Sequence, residues 1–101
     1  MKVKDFLIKS GVYPNIQGFK YLVDAVEVCK ELEEKDKKEK RIITTKIYPM
    51  VALKHETTPS KVERAIRHAL TKIKTTDFKE IGLKPAPTNG EFIYYFAYLG
   101  E

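Results

Sequence analysis

Apolar residues recur along this chain at helical rather than alternating spacing. Val3, Phe6 and Leu7 share one helical face, and Ser10-Gly11 follows as a stop, because glycine tolerates the left-handed backbone found just past a helix end. "VYPNIQG" reads as a loop, broken by Pro14, Asn15 and Gly18. A longer helix is predicted from near Gly18, with Leu22, Ala25, Val26, Cys29 and Leu32 in the i, i+3, i+4, i+7 rhythm. It fades into "EEKDKKEKR", which has no apolar anchor and reads as a solvated helix end and linker. In "IITTKIYPMVALKHE", Ile47, Tyr48, Val51 and Ala52 form a stripe. Pro49 lacks an N–H and crowds the preceding turn, so either a helix begins near Pro49 or an earlier one, starting near Thr44 or Thr45, is kinked there; the kink is the favoured reading. Residues 58–74 give the clearest helix, and 76–81 a short one stopped by Gly82. "LKPAPTNG" is an irregular link. Thr88-x-x-Glu91 then has the spacing of a capping box, ahead of the apolar face of Phe92, Ile93, Phe96 and Ala97. No strand is predicted. The expected fold is all-α, with about six helices in a single domain over residues 1–101.

The helix at 58–74 carries the chemistry. Pro59 suits the first helical position, with Thr58 as cap. Ser60-x-x-Glu63 is a rival capping box one step later. Val62, Ala65, Ile66, Ala69, Leu70 and Ile73 line one side, and Arg64 falls almost opposite them. Lys61, His68 and Thr71 flank Arg64, and Arg67 sits at the shoulder. Over 57–74 the cations Lys61, Arg64, Arg67, Lys72 and Lys74 face one anion, Glu63, for a local charge of +4. With the preceding helix and a short turn at Glu56-Thr57-Thr58, this stretch has helix-turn-helix proportions. In that motif the second helix enters the major groove. Arginine there can donate two hydrogen bonds to guanine, glutamate can accept from cytosine, and lysines farther along meet phosphates. A cationic outer face is equally what a solvated surface helix carries, so periodicity and charge leave both readings open.

Composition narrows the choice. The formal net charge of +5 and isoelectric point near 9.3 favour a polyanionic partner. The single Cys29 cannot form an internal disulfide and reads as a small core residue in a reducing, cytoplasmic setting. No apolar run is long enough to span a bilayer, and no signal-peptide pattern opens the chain. His55, His68 and Cys29 lack the paired spacing of a metal site, and no nucleophile elbow or phosphate loop occurs. No metal, cofactor or catalysis is expected. His55 reads as a helix-ending cation.

"YPMVALKHETTPSKVERAIRHAL" resembles the helix-turn-helix of the C-terminal DNA-binding domain of the sporulation stage-zero A response regulator family, and "VERAIRHA" is its most diagnostic string. "SGVYPNIQGFKYLVDAV" resembles the family's first two helices and "PAPTNGEFI" the start of its last, so the likeness covers nearly the whole chain. It implies a six-helix domain that binds duplex DNA and regulates transcription in the bacterial cytoplasm, at the nucleoid, with copies side by side on paired sites. The family's base-contacting positions fall on Glu63, Arg64 and Arg67, and backbone contacts on Ser60, Lys61 and His68; Lys72 joins these as a phosphate contact. Lys61 stands where the family often has Arg, which removes a bidentate contact. The polymerase sigma subunit is an implied partner, through a region that is shorter here. About 100 residues hold no receiver domain beside this one, so a fragment or a stand-alone relative is expected.

Three alternatives stay open on the residues themselves. Glu63 either accepts from cytosine or caps its own helix with Ser60, and Arg67 meets either a base or a phosphate. Tyr94, Tyr95 and Tyr98 offer a partner surface or a platform for unpaired bases, with Phe92 and Phe96 in the core. The rival function is a protein-interaction module that pairs with a full-length relative or a polymerase subunit without reading DNA.

Overall fold

Three helices of this chain end in the same way, and those endings set its architecture. The structure is a computed structural model that describes residues 1–32 and 41–100. Six α-helices are present among these: α1 (Val3–Lys9), α2 (Gln17–Glu31), α3 (Tyr48–Lys54), α4 (Pro59–Thr71), α5 (Thr75–Glu80) and α6 (Asn89–Tyr98). No strand occurs among the described residues. The acidic-basic run at 33–41 lies outside them except for Arg41.

Helices α1, α3 and α5 each finish in a Schellman motif. After α1, the Val12 N–H donates to the Leu7 carbonyl and the Gly11 N–H to that of Ile8. After α5, Leu83 donates to Phe78 and Gly82 to Lys79. After α3, Thr57 donates to Ala52 and Glu56 to Leu53. Gly11 and Gly82 hold the required left-handed backbone at φ +91° and +86°. The turn between α3 and α4 puts Glu56 there instead, at φ +52°. A side chain in that region costs about 1–2 kcal/mol, against about 0.5–1 kcal/mol for the extra freedom a glycine loses on folding. The Glu56 side chain is exposed. Glu56→Gly is therefore expected to raise the unfolding free energy by about 0.5–1 kcal/mol in urea titrations, and a loss of stability would contradict this account of the turn.

Ahead of α3, residues Ile43–Ile47 form a π-helical turn that runs straight into it. The two readings of Pro49 meet here: the α-helix proper begins at Tyr48 with Pro49 in its first turn, and the π-helical turn precedes it. A proline ring crowds the carbonyl four residues back, and a widened turn is one way a helix relieves that crowding. Helical backbone begins at Ile42, before the expected Thr44 or Thr45, and Ile42 is fully buried.

The core is a single cluster fed by every helix. Phe6 of α1 lies 5.4–6.0 Å, ring centroid to centroid, from Phe78 of α5 and from Phe92 and Phe96 of α6. Helix α2 runs through the middle and packs mainly against α4 and α6. Its contact with α4 is close because Gly18 has no side chain: a Cβ there would stand 2.3 Å from the Ala65 carbonyl oxygen and 2.7 Å from the Ala69 Cβ. Cys29 is fully buried on the core face of α2. No charged side chain is buried among the described residues. The capping box at α6 forms as expected: Glu91 N–H donates to the Thr88 hydroxyl at 3.1 Å, and Thr88 N–H to the Glu91 carboxylate at 2.8 Å. That backbone bond, with help from Lys84 3.1 Å away, holds the Glu91 carboxyl below its ordinary pKa.

Candidate nucleic-acid interface

Helix α4 starts where its sequence says it should. Thr58 has extended backbone, its hydroxyl accepts from the Lys61 N–H at 3.2 Å, and Pro59 follows in the first turn. The rival box does not form: Thr58 is the cap, and Ser60 lies exposed inside the helix. The far end is a correction. The helix stops at Thr71 rather than 74, with Lys72 as its C-cap and Lys74 capping the start of α5. The Thr71 hydroxyl donates back to the His68 carbonyl at 2.6 Å. Neither Gly nor Pro marks this stop, so nothing in the local sequence announced it.

Val62, Ile66, Ala69 and Leu70 are buried, Ala65 is half-buried, and Ile73 is buried just beyond the helix. On the opposite side Ser60, Lys61, Arg64, Arg67, His68 and Lys72 are all exposed. Arg64 has no hydrogen-bond or ion-pair partner among the described residues. Arg67 differs. Its guanidinium lies 3.0 Å from the Glu63 carboxylate one helical turn back. The Arg67 side chain is 61% exposed, so this is a solvated i, i+4 pair worth about 0.3–0.5 kcal/mol. Glu63, split in the sequence between capping and base contact, does not cap. Its carboxylate holds Arg67, and its backbone carbonyl accepts from the Asn89 side chain at 3.2 Å.

The support for α4 comes from two other directions. Helix α3 packs against it across the Glu56 turn, completing the helix-turn-helix. The end of α3 is tied to α2: Asp24 accepts from Lys54 at 3.1 Å and pairs with the His55 ring, which also meets the Tyr21 ring edge-on. His55 was expected only to end its helix; its imidazole also joins α3 to α2. On the far flank, a groove of about 680 Å³ is lined by α4, the turn after it and residues 85–90. Tyr48, Glu63, Arg67 and Asn89 are among its polar lining residues.

The tyrosines of α6 divide. Tyr95 donates to the Ile81 carbonyl and so braces the α5–α6 link. Tyr94 and Tyr98 stack on each other with ring centroids 5.6 Å apart, and burial pushes the Tyr94 hydroxyl up from its ordinary pKa. The Cys29 thiol reaches the Tyr98 hydroxyl at 3.6 Å. Among the described residues, no group of three or more His, Cys, Asp or Glu is placed to hold a metal ion, and no helix is long and apolar enough to cross a membrane.

Sequence reasoning missed the support that two residues, Gly18 and Asn89, give to α4. "PTN" stood out as a string, yet no local pattern joins Asn89 to partners 26 and 41 residues away. An all-helical chain with a helix-turn-helix and one uncovered cationic face is what duplex-binding effector domains of transcription regulators present. Residues 3–98 match the family model described as sporulation initiation factor Spo0A, C terminal, whose members are DNA-binding regulatory domains rather than a family of enzymes. With that match spanning nearly the whole chain, the protein belongs to the Spo0A C-terminal domain family.

Proposed function

We propose that this protein is a sequence-specific regulator of transcription that inserts α4 into the major groove of duplex DNA. The observation that carries the reading is Arg64: exposed, without a partner among the described residues, and on the side of α4 away from the core. Thirteen residues make a rod about 20 Å long, and the major groove, about 12 Å wide, admits such a helix. Arg64 donates in bidentate fashion to guanine O6 and N7. Glu63 and Arg67 contribute the other base contacts. Their mutual pair is solvated and weak, so exchanging it for base edges costs little. Ser60, Lys61, His68 and Lys72 meet phosphates along the two strands. Copies of the protein occupy paired sites, and the setting is the bacterial cytoplasm, at the nucleoid. The chain forms one DNA-binding domain with no need of a cofactor.

Selection of bound duplexes from a random pool at physiological salt should return a short common box. On that box Arg64→Ala is expected to cost about 1–3 kcal/mol and relax preference at one base. Lys72→Ala should weaken box and scrambled duplex alike and lower the salt slope by about 1. Equal losses on every duplex from both substitutions would refute base reading by α4.

A second reading, an interaction module for a full-length relative or the polymerase sigma subunit, draws on exposed apolar side chains. Leu53 of α3 is 81% exposed and Leu99, just past α6, is 76% exposed. Binding of purified sigma subunit that is untouched by Arg64→Ala, with no box recovered from the pool, would favour it.

A further inference from the structure

We propose that Asn89 is a positioning residue for DNA recognition: its carboxamide sets the pitch of α4 against α3 and thereby the sharpness of base discrimination. The inference rests on the reading of α4 as the base-reading helix. Asn89 is the first residue of α6, where Thr88 already supplies the cap. Its side chain is thus available for another task. It donates to the Tyr48 hydroxyl of α3 at 3.0 Å and to the Glu63 backbone carbonyl of α4 at 3.2 Å. A carbonyl only accepts, so both bonds come from the amide nitrogen, one per hydrogen. One side chain therefore joins the start of the last helix to both helices of the helix-turn-helix.

The place where it grips matters. The rest of the α4 contact with the core is an apolar stripe, and apolar contacts do not resist rolling or sliding as directional bonds do. Glu63 is in the N-terminal half of α4, the half that meets base edges, and Arg64 is the next residue. The bond goes to the main chain, so it holds the helix itself rather than a rotatable side chain. Tyr48 is a firm anchor, because the residue is only 6% exposed. Burial raises its hydroxyl's pKa above the ordinary value, and the Asn89 bond opposes that rise. Bidentate recognition tolerates displacements of about 0.5 Å, whereas long lysine side chains follow a phosphate over larger shifts.

The test uses the whole chain and two duplexes, the selected box and a scrambled one, each titrated over a range of salt. Asn89→Ala is expected to lower the ratio of box to scrambled affinity about tenfold, the loss of one good base contact. Scrambled affinity and its salt slope should not change, which a merely destabilised protein would not produce. Tyr48→Phe keeps the ring and the Asn89–Glu63 bond, and should lower the ratio about two- to threefold. The double variant should match Asn89→Ala alone, because the tyrosine hydroxyl acts through the amide. An unchanged ratio in Asn89→Ala, or effects that multiply in the double variant, overturns the proposal. Should Asn89→Ala not fold, Tyr48→Phe decides: a lowered ratio supports the clamp and an unchanged one overturns it. Arg64→Ala separates the two levels. A ratio lost there but kept in Asn89→Ala removes the clamp alone; a ratio kept in both removes base reading by α4 as well.

Discussion

Gly18→Ala is expected to lower the unfolding free energy by about 3 kcal/mol, read as a drop in urea midpoint with an unchanged m-value. The sign is the informative part. In an exposed helix interior, alanine is favoured over glycine by about 1 kcal/mol. Here the added methyl would sit 2.3 Å from the Ala65 carbonyl oxygen, and a backbone atom has no rotamer in which to escape. The Ala69 Cβ at 2.7 Å closes the other side. The helices α2 and α4 must therefore move apart, which opens the apolar seam of Val62, Ile66 and Ala69. Because α4 is the helix proposed to enter DNA, the same variant should lose box affinity at temperatures where it remains folded. Equal or greater stability in Gly18→Ala would mean that α2 does not approach α4 as closely as this packing requires.

Phe6→Ala should cost still more, about 3–5 kcal/mol. Phe6 is 2% exposed and stands at the meeting point of the Phe78, Phe92 and Phe96 rings. Truncation removes a whole ring's burial, and three neighbouring rings cannot all turn to fill the space. A domain of this size has about 5–15 kcal/mol in hand, so the variant would be near its folding limit at 37 °C. The comparison that isolates the cause is Phe6→Leu, which retains much of the volume and should lose clearly less in the same titration. A Phe6→Ala loss below about 1 kcal/mol would show that the four-ring cluster collapses freely and is not the keystone of α1, α5 and α6.

Much of the fold was legible because it is written over three or four residues at a time. The Thr88–Glu91 box, the Thr58-Pro59 start of α4, and the Gly11 and Gly82 stops each depend on partners within one helical turn. The stripe from Val62 to Ile73 is legible for the same reason, and so is the place of Arg64 opposite it. Where those signals were absent, reading failed. Thr71 ends α4 with no glycine or proline, and helical backbone begins at Ile42, ahead of the threonines expected near the start. Glu63 had two local roles to choose from. Only the assembled helix shows that the Ser60 box is not made and that the Glu63 carboxylate faces Arg67.

The sequence by itself determined that this chain is helical, where most of its helices start and stop, and which side of α4 is cationic. Those properties follow from backbone geometry and side-chain spacing over short distances. Only the tertiary structure decided what holds α4 in place. Gly18 earns its contact from residues about fifty positions away, His55 meets Asp24 across 31 residues, and Asn89 reaches Glu63 and Tyr48 across 26 and 41. Such pairings depend on how helices cross in space, and no periodicity within one helix encodes that crossing.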